Sequence, residues 1–129
     1  MITFNSHIRY WKTSAQRDWH TANDLFTTKH FSPCLFFCHL ALEKTLKGLV
    51  VQNTKTAAPY THDLGLLAKL AGLALSESQE NFLRTINTFN LSARYDDVKL
   101  QFHKKATPLF TEKYLRETEK LFLWLQKKY

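Results

Sequence analysis

The stretch FSPCLFFCHLALEKTLKGLVVQN, residues 31–53, decides the fold that this sequence predicts. Ser32 is a favoured N-cap residue and Pro33 suits the first helical position, so we predict that a helix begins there. One continuous apolar arc of this helix is formed by Leu35, Cys38, Ala41, Leu42, Leu46 and Leu49. Phe36 and Leu40 extend the apolar surface to the opposite side. A helix that is apolar on both sides is either central in its domain or covered by a second chain.

Length and composition predict one folded domain over residues 1–129. A chain of 129 residues can bury a core without a disulfide or a structural metal, and its 44% hydrophobic content exceeds that of a disordered segment. The two cysteines, Cys34 and Cys38, lie four residues apart on one predicted helix, which is a poor spacing for a disulfide. No second Cys or His pair at metal-site spacing accompanies them. We therefore predict a reducing compartment, no metal and no cofactor.

The sequence contains no signal for a membrane location. Its apolar runs are far shorter than the ~20 residues of a membrane span, and residues 1–12 lack the features of a secretory signal. We expect a cytoplasmic protein. The net charge of +7 arises from 18 Lys and Arg against 11 Asp and Glu, and it is spread over both halves of the chain. Such an excess is compatible with a polyanionic partner.

Helical periodicity continues outside the central stretch, and no segment alternates strictly as a strand would. The further predicted helices span residues 10–29, a short stretch capped by Thr61 or Asp63, a long stretch from the Ser76–Gln79 capping box to residues 94–97, and a last stretch from Thr111. The segment 96–108 has no apolar stripe and is predicted to be a loop. The sequence therefore predicts an all-α fold, an antiparallel up-and-down bundle of four long helices and one short helix.

A row of polar side chains follows the central helix, with His39, Glu43 and Lys47 at intervals of four and Lys44 beside them. On an exposed surface such residues form ion pairs worth about 0.3–0.5 kcal/mol each. Their position among apolar residues favours burial instead, where charges must be paired. We therefore predict that Lys44 or Lys47 pairs with a carboxylate, the candidates being Glu43, Asp63 and Asp96.

Two further polar groups lie at predicted helix ends. His62 and Asp63 begin the short helix, where a carboxylate caps the first turn and suits the helix dipole. Arg94 and Tyr95 end the third long helix, and His103 follows in the predicted loop. An Arg and a His that meet could act on RNA, since the Arg stabilises an anionic phosphate while the His moves a proton. The alternative is an Arg that neutralises a helix C-terminus.

Three strings in order carry a resemblance to a known family: His39-Leu-Ala-Leu-Glu43-Lys44-Thr-Leu-Lys47, then Thr61-His62-Asp63-Leu64, then Ala93-Arg94-Tyr95. This pattern resembles the HEPN family, named for higher eukaryotes and prokaryotes nucleotide-binding. The resemblance implies a compact bundle that forms a homodimer, often encoded beside a minimal nucleotidyltransferase in toxin–antitoxin modules. Some members are RNases, in which a His follows an Arg after four to six residues. In this chain eight residues separate Arg94 from His103.

Three functions are compatible with these observations. The first is a HEPN protein that binds a nucleotidyltransferase and the phosphate of a nucleotide or RNA, with ligand-binding candidates His39, Glu43, Lys44, Lys47, Asp63 and Tyr95. The second is a metal-independent endoribonuclease toxin that uses Arg94 with His103 or His62. The third is a purely structural, dimeric helical adaptor. A small nucleotidyltransferase in the adjacent reading frame would favour the first two over the third.

Overall fold

The computed structural model describes residues 3–90 and 94–129, and in that part of the chain every regular element is an α-helix. The helices are α1 (Phe4–Thr27), α2 (Phe31–Thr54), α3 (Leu64–Leu70), α4 (Glu77–Asn87), α5 (Asp96–Lys105) and α6 (Pro108–Gln126). The predicted all-α class is therefore confirmed. None of these helices combines the length and the apolar character that crossing a membrane would need.

Helix α2 is the central element, and it packs against each of the other five helices. All seven residues 45–51 are buried, and because this run covers nearly two turns, the C-terminal half of α2 is enclosed on every side. In the N-terminal half, Phe36 and Leu40 remain partly exposed and pack into neither of the two apolar clusters of the described chain. The C-terminal half of α2 is therefore apolar all round because it is central in the fold, which does not explain the apolar side chains of Phe36 and Leu40.

The starts of α1 and α2 differ from the prediction. Helix α2 begins at Phe31 with His30 as its N-cap residue, and the Ser32 hydroxyl lies 3.2 Å from Nδ1 of His103 instead of capping the helix. Helix α1 begins at Phe4 rather than near residue 10, because Thr3 and Ser6 form a reciprocal capping box. In both cases polar side chains near the helix start form hydrogen bonds that were not predicted.

Helices α3 and α4 are shorter than predicted. Asp63 caps α3, and Gly72 follows it with a φ of 73°, which favours glycine. The predicted capping box of α4 is present, but α4 ends at Asn87 rather than at residues 94–97. Its end is a tight turn, in which the backbone N–H groups of residues 88 and 89 bond carbonyls three residues back. The last position predicted on its buried face, Leu91 or Ala93, lies outside the described residues.

The predicted loop at 96–108 is wrong, because residues 96–105 form α5. Two acidic residues lie in its first turn and three basic or imidazole side chains in its last turn, which is the arrangement that stabilises a helix dipole. Phe102 is its buried residue and contacts Phe89, with ring centroids 5.2 Å apart. Helix α6 begins at Pro108 rather than Thr111, since Thr107 caps it. The described chain therefore has six helices instead of four long and one short.

Candidate functional site

Glu43 of α2 is the centre of a buried polar cluster, with a side chain only 6% exposed. Its Oε1 lies 2.8 Å from Nδ1 of His62, and its Oε2 lies 3.2 Å from Nζ of Lys47. Because a carboxylate only accepts hydrogen bonds, Nδ1 of His62 donates in this contact. Of the three carboxylates predicted as partners of Lys44 or Lys47, Glu43 is therefore the one that the structure brings to a lysine.

Lys47 is enclosed by this cluster. Its side chain is 8% exposed, and its ammonium lies 5.4 Å from the ring centroid of Trp11 on α1. The carboxylate of Glu43 and the indole face together balance the positive charge. Trp11 was not predicted as a neighbour of Lys47, because the indole belongs to another helix. Lys47 therefore faces the interior of the fold and is not available to a ligand.

His39 fastens the loop before α3 to α2. Its ring is fully buried, and Nε2 donates to the backbone carbonyl of His62 at 3.1 Å. Its Nδ1 lies 3.7 Å from Oε1 of Glu43, which is too long for a hydrogen bond. Burial lowers the pKa of His39, and the nearby charge of Glu43 opposes this only in part. His39 is therefore a neutral structural residue at pH 7.

Because of this lowered pKa, the protein should lose stability as the pH falls below about 6.5. In that range the unfolded chain binds a proton at His39 that the folded chain does not, so the free energy of unfolding decreases by up to about 1.4 kcal/mol per pH unit. Urea titrations of wild type and His39→Gln between pH 7.5 and 5 should show the steeper decrease for wild type. His20→Gln, at an exposed position, is the control. Equal slopes for wild type and His39→Gln would contradict the prediction.

Lys44 connects α2 to α1. Its Nζ lies 2.7 Å from Oδ2 of Asp18 and 2.9 Å from the Ser14 hydroxyl, and the Asp18 side chain is 14% exposed. Asp18 was not among the predicted partners of Lys44. The sequence contained a signal for this partner, because Asp18 lies on the same face of α1 as Ala15 and Ala22. Both alanines are fully buried. Lys44 is thus engaged within the fold.

Asp63 and Asp96 do not pair with a lysine among the residues that the structure describes, so the prediction is wrong for these two carboxylates. Asp63 Oδ1 accepts from the backbone N–H groups of Gly65 at 3.0 Å and Leu66 at 3.4 Å, and from the Asn87 side chain at 3.2 Å. Asp63 thereby caps α3 and connects it to the end of α4. Asp96 lies in the first turn of α5, where the helix dipole favours it.

His62 is the member of the cluster that reaches the surface. Its side chain is 52% exposed, and because Nδ1 is taken by Glu43, Nε2 is the nitrogen left for a ligand. Tyr60, two residues earlier, is fully exposed, and its ring centroid lies 6.3 Å from that of His62. A buried carboxylate that holds an exposed imidazole fixes the tautomer and supports proton transfer at the outer nitrogen.

Arg94 and His103 contact different parts of the fold. The Nε of exposed Arg94 donates to the Asn90 carbonyl at 3.4 Å, just beyond the end of α4, where Asn87 accepts from the Leu64 N–H at 3.0 Å. This connects the Arg94 region to the start of α3, next to His62. His103 contacts Ser32, which is eleven residues before Glu43 on α2, or about 16 Å along the helix.

Tyr95 is the N-cap residue of α5 and is 84% exposed, so its ring is accessible to a ligand. The structure therefore divides the predicted site residues into two groups. His39, Glu43, Lys44 and Lys47 are buried or half-buried within the fold, whereas His62, Asp63, Arg94, Tyr95 and His103 are exposed.

Comparisons with known proteins agree with this architecture. The family model described as HEPN domain matches residues 8–128. The crystal structure of TT1696 from Thermus thermophilus is similar, with a TM-score of 0.77, 20% sequence identity, and coverage of 95% of this chain and 98% of that chain. At this identity the likeness shows a shared fold. No curated protein sequence matches the chain.

Proposed function

We propose that this chain, which belongs to the HEPN domain family, binds the phosphate groups of RNA or a nucleotide at a site formed by a homodimer. In this proposal it is the partner of a minimal nucleotidyltransferase in a toxin–antitoxin module. The family supports a function related to nucleotides or RNA. The nucleotidyltransferase rests on the family resemblance, and a gene for such an enzyme beside this one would support it.

The exposed guanidinium of Arg94 carries the phosphate-binding part of the proposal. Its hydrogen bond to the backbone uses Nε, and among residues 3–90 and 94–129 no ion pair neutralises it. A planar guanidinium can therefore offer a bidentate contact to a phosphate. Tyr95 beside it could stack on a base, since exposed aromatic side chains provide such platforms. The net charge of +7 would attract RNA to this surface.

The partly exposed apolar side chains of α2 support the homodimer. Phe36 and Leu40 lie outside both apolar clusters, although Leu35, His39 and Ala41 beside them in sequence are buried. A second copy placed on this surface would cover them. It would also bring two copies of the neighbouring helices towards one symmetry axis.

An endoribonuclease is the second candidate, and the contact between Glu43 and His62 favours it. The carboxylate holds Nδ1 at 2.8 Å and leaves Nε2 exposed, so His62 could accept a proton from a ribose hydroxyl. Arg94 would then stabilise the phosphate. His103 is a poorer candidate for this role, because the Ser32 hydroxyl that it contacts lies about 16 Å from Glu43 along α2, so Glu43 does not hold its ring.

Binding of a mixed RNA pool to wild type and Arg94→Ala tests the proposal. We expect Arg94→Ala to weaken binding at least about tenfold at low salt and to reduce the slope of log K against log salt by about 1. Arg116→Ala is the matched control, because it removes an equal charge from an exposed position on α6. Equal effects of both variants would contradict a site at Arg94, and sedimentation as a monomer would contradict the dimer. Cleavage that stops in His62→Ala while binding persists would favour the endoribonuclease.

A further inference from the structure

A groove between α3 and α4 lies apart from the His62 and Arg94 surface. Its volume is about 350 Å³, within the usual range of small-molecule pockets. Its apolar lining consists of Ala68, Leu73, Leu75 and Leu83. Two of the three glycines in the chain, Gly65 and Gly72, also line it. The groove is therefore an apolar cleft whose opening is not narrowed by side chains at these two positions.

Gly65 keeps the groove open without a structural need for glycine. Its φ is not positive, and a Cβ built there would meet only Asp63 Oδ1, at an ordinary contact distance of 3.5 Å. Glycine in a helix costs about 1 kcal/mol relative to alanine. Gly72 differs, because its φ of 73° explains the glycine. Neither a positive φ nor a close contact requires glycine at position 65, and the groove has no side chain there.

Two cations flank the apolar lining. Lys69 lies in the last turn of α3 and Arg84 in the last turn of α4, and both line the groove. Among the described residues neither forms an ion pair, and Arg84 contacts the Asn81 side chain. Glu80 is the one acidic lining residue. The groove thus combines an apolar interior with a net positive charge.

We infer that this groove binds a small anion with an apolar body, namely an aryl or acyl group that carries a carboxylate or a phosphate. The apolar body lies on the leucine side chains, where its burial is favourable. The anionic head contacts the guanidinium of Arg84, which can bind it through two parallel hydrogen bonds, and the ammonium of Lys69. This site does not depend on RNA binding at Arg94.

Four probes distinguish the contributions: 1-naphthyl phosphate, 1-naphthoate, inorganic phosphate and the cation 1-naphthylmethylammonium. In amide NMR spectra we expect the naphthyl anions to shift the signals of residues 65–75 and 80–84 in a saturable manner. Inorganic phosphate and the cation should bind at least about tenfold more weakly. The tighter of the two naphthyl anions identifies the preferred head group. Equal binding of the cation, or shifts confined to other helices, would overturn the inference.

Two variants locate the ligand. Gly65→Leu should abolish binding without lowering the melting temperature, because the position is exposed and helical. Arg84→Ala should weaken binding of both naphthyl anions about tenfold. Ser78→Leu is the matched control, since Ser78 lines a different groove of about 460 Å³ beside Trp124. Unchanged binding in Gly65→Leu, or an equal loss in Ser78→Leu, would overturn the site.

Discussion

Replacing Glu43 with alanine should lower the free energy of unfolding by about 3–5 kcal/mol, since it leaves the buried ammonium of Lys47 without its carboxylate. The same change removes the hydrogen-bond acceptor of His62, which holds the loop before α3 on α2. Urea denaturation followed by circular dichroism would measure the loss. A melting temperature within one degree of wild type would show that the cluster contributes nothing to stability.

Two control variants distinguish the effect of the unpaired Lys47 ammonium from the effect of the lost Glu43 side-chain packing. Glu119→Ala removes an exposed carboxylate whose distance to Arg116 is 4.0 Å, and it should cost less than about 1 kcal/mol. The double variant Glu43→Ala/Lys47→Met should be more stable than Glu43→Ala alone, because no unpaired charge then remains in the interior. If the double variant were less stable than Glu43→Ala, the unpaired ammonium of Lys47 would not be the cause of the destabilisation.

Gly48→Ala should destabilise the wild type by about 1–2 kcal/mol and stabilise a Tyr129→Ala variant by about 0.5–1 kcal/mol. A Cβ at Gly48 would come too close to the Tyr129 hydroxyl, which donates to the Thr45 carbonyl at 2.6 Å. Without the phenol ring, only the higher helix propensity of alanine remains. The sign of the effect therefore depends on whether Tyr129 is present.

Denaturation of all four proteins in this cycle measures the coupling. Gly65→Ala, at an exposed position of α3, is the control for helix propensity alone and should have the same effect with and without Tyr129. If Gly48→Ala changed stability equally in both backgrounds, the contact between α2 and the C-terminal residue would be unimportant.

The central helix and the caps at Asp63 and Ser76 were predictable because their signals are local in the sequence. Helix α5 was not predicted, since only Phe102 is buried and one buried residue gives no periodic stripe. The acidic residues in its first turn and the basic residues in its last turn were a sequence signal for this helix. The early end of α4 was not predicted either. Its last residue, Asn87, contacts Leu64 of another helix, and a contact between helices leaves no local pattern in the sequence.

The residues of the candidate site could be predicted from the sequence, but most of their contacts could not. The spacing of Glu43 and Lys47 indicated their pairing, because both lie on one helix. The partners of Lys44 and His62 come from other segments, so no spacing on α2 could identify them. The distance between His62 and His103 depends on the direction of α5, a helix that the sequence pattern did not predict.

The contacts of α2 also determine how the molecule comes apart. Because this helix packs against all five others, its departure uncovers apolar surface on each of them at once. The amide hydrogens at its centre therefore exchange with solvent only when the whole domain unfolds. Helix α5, with a single buried side chain, can open while the remaining helices stay assembled.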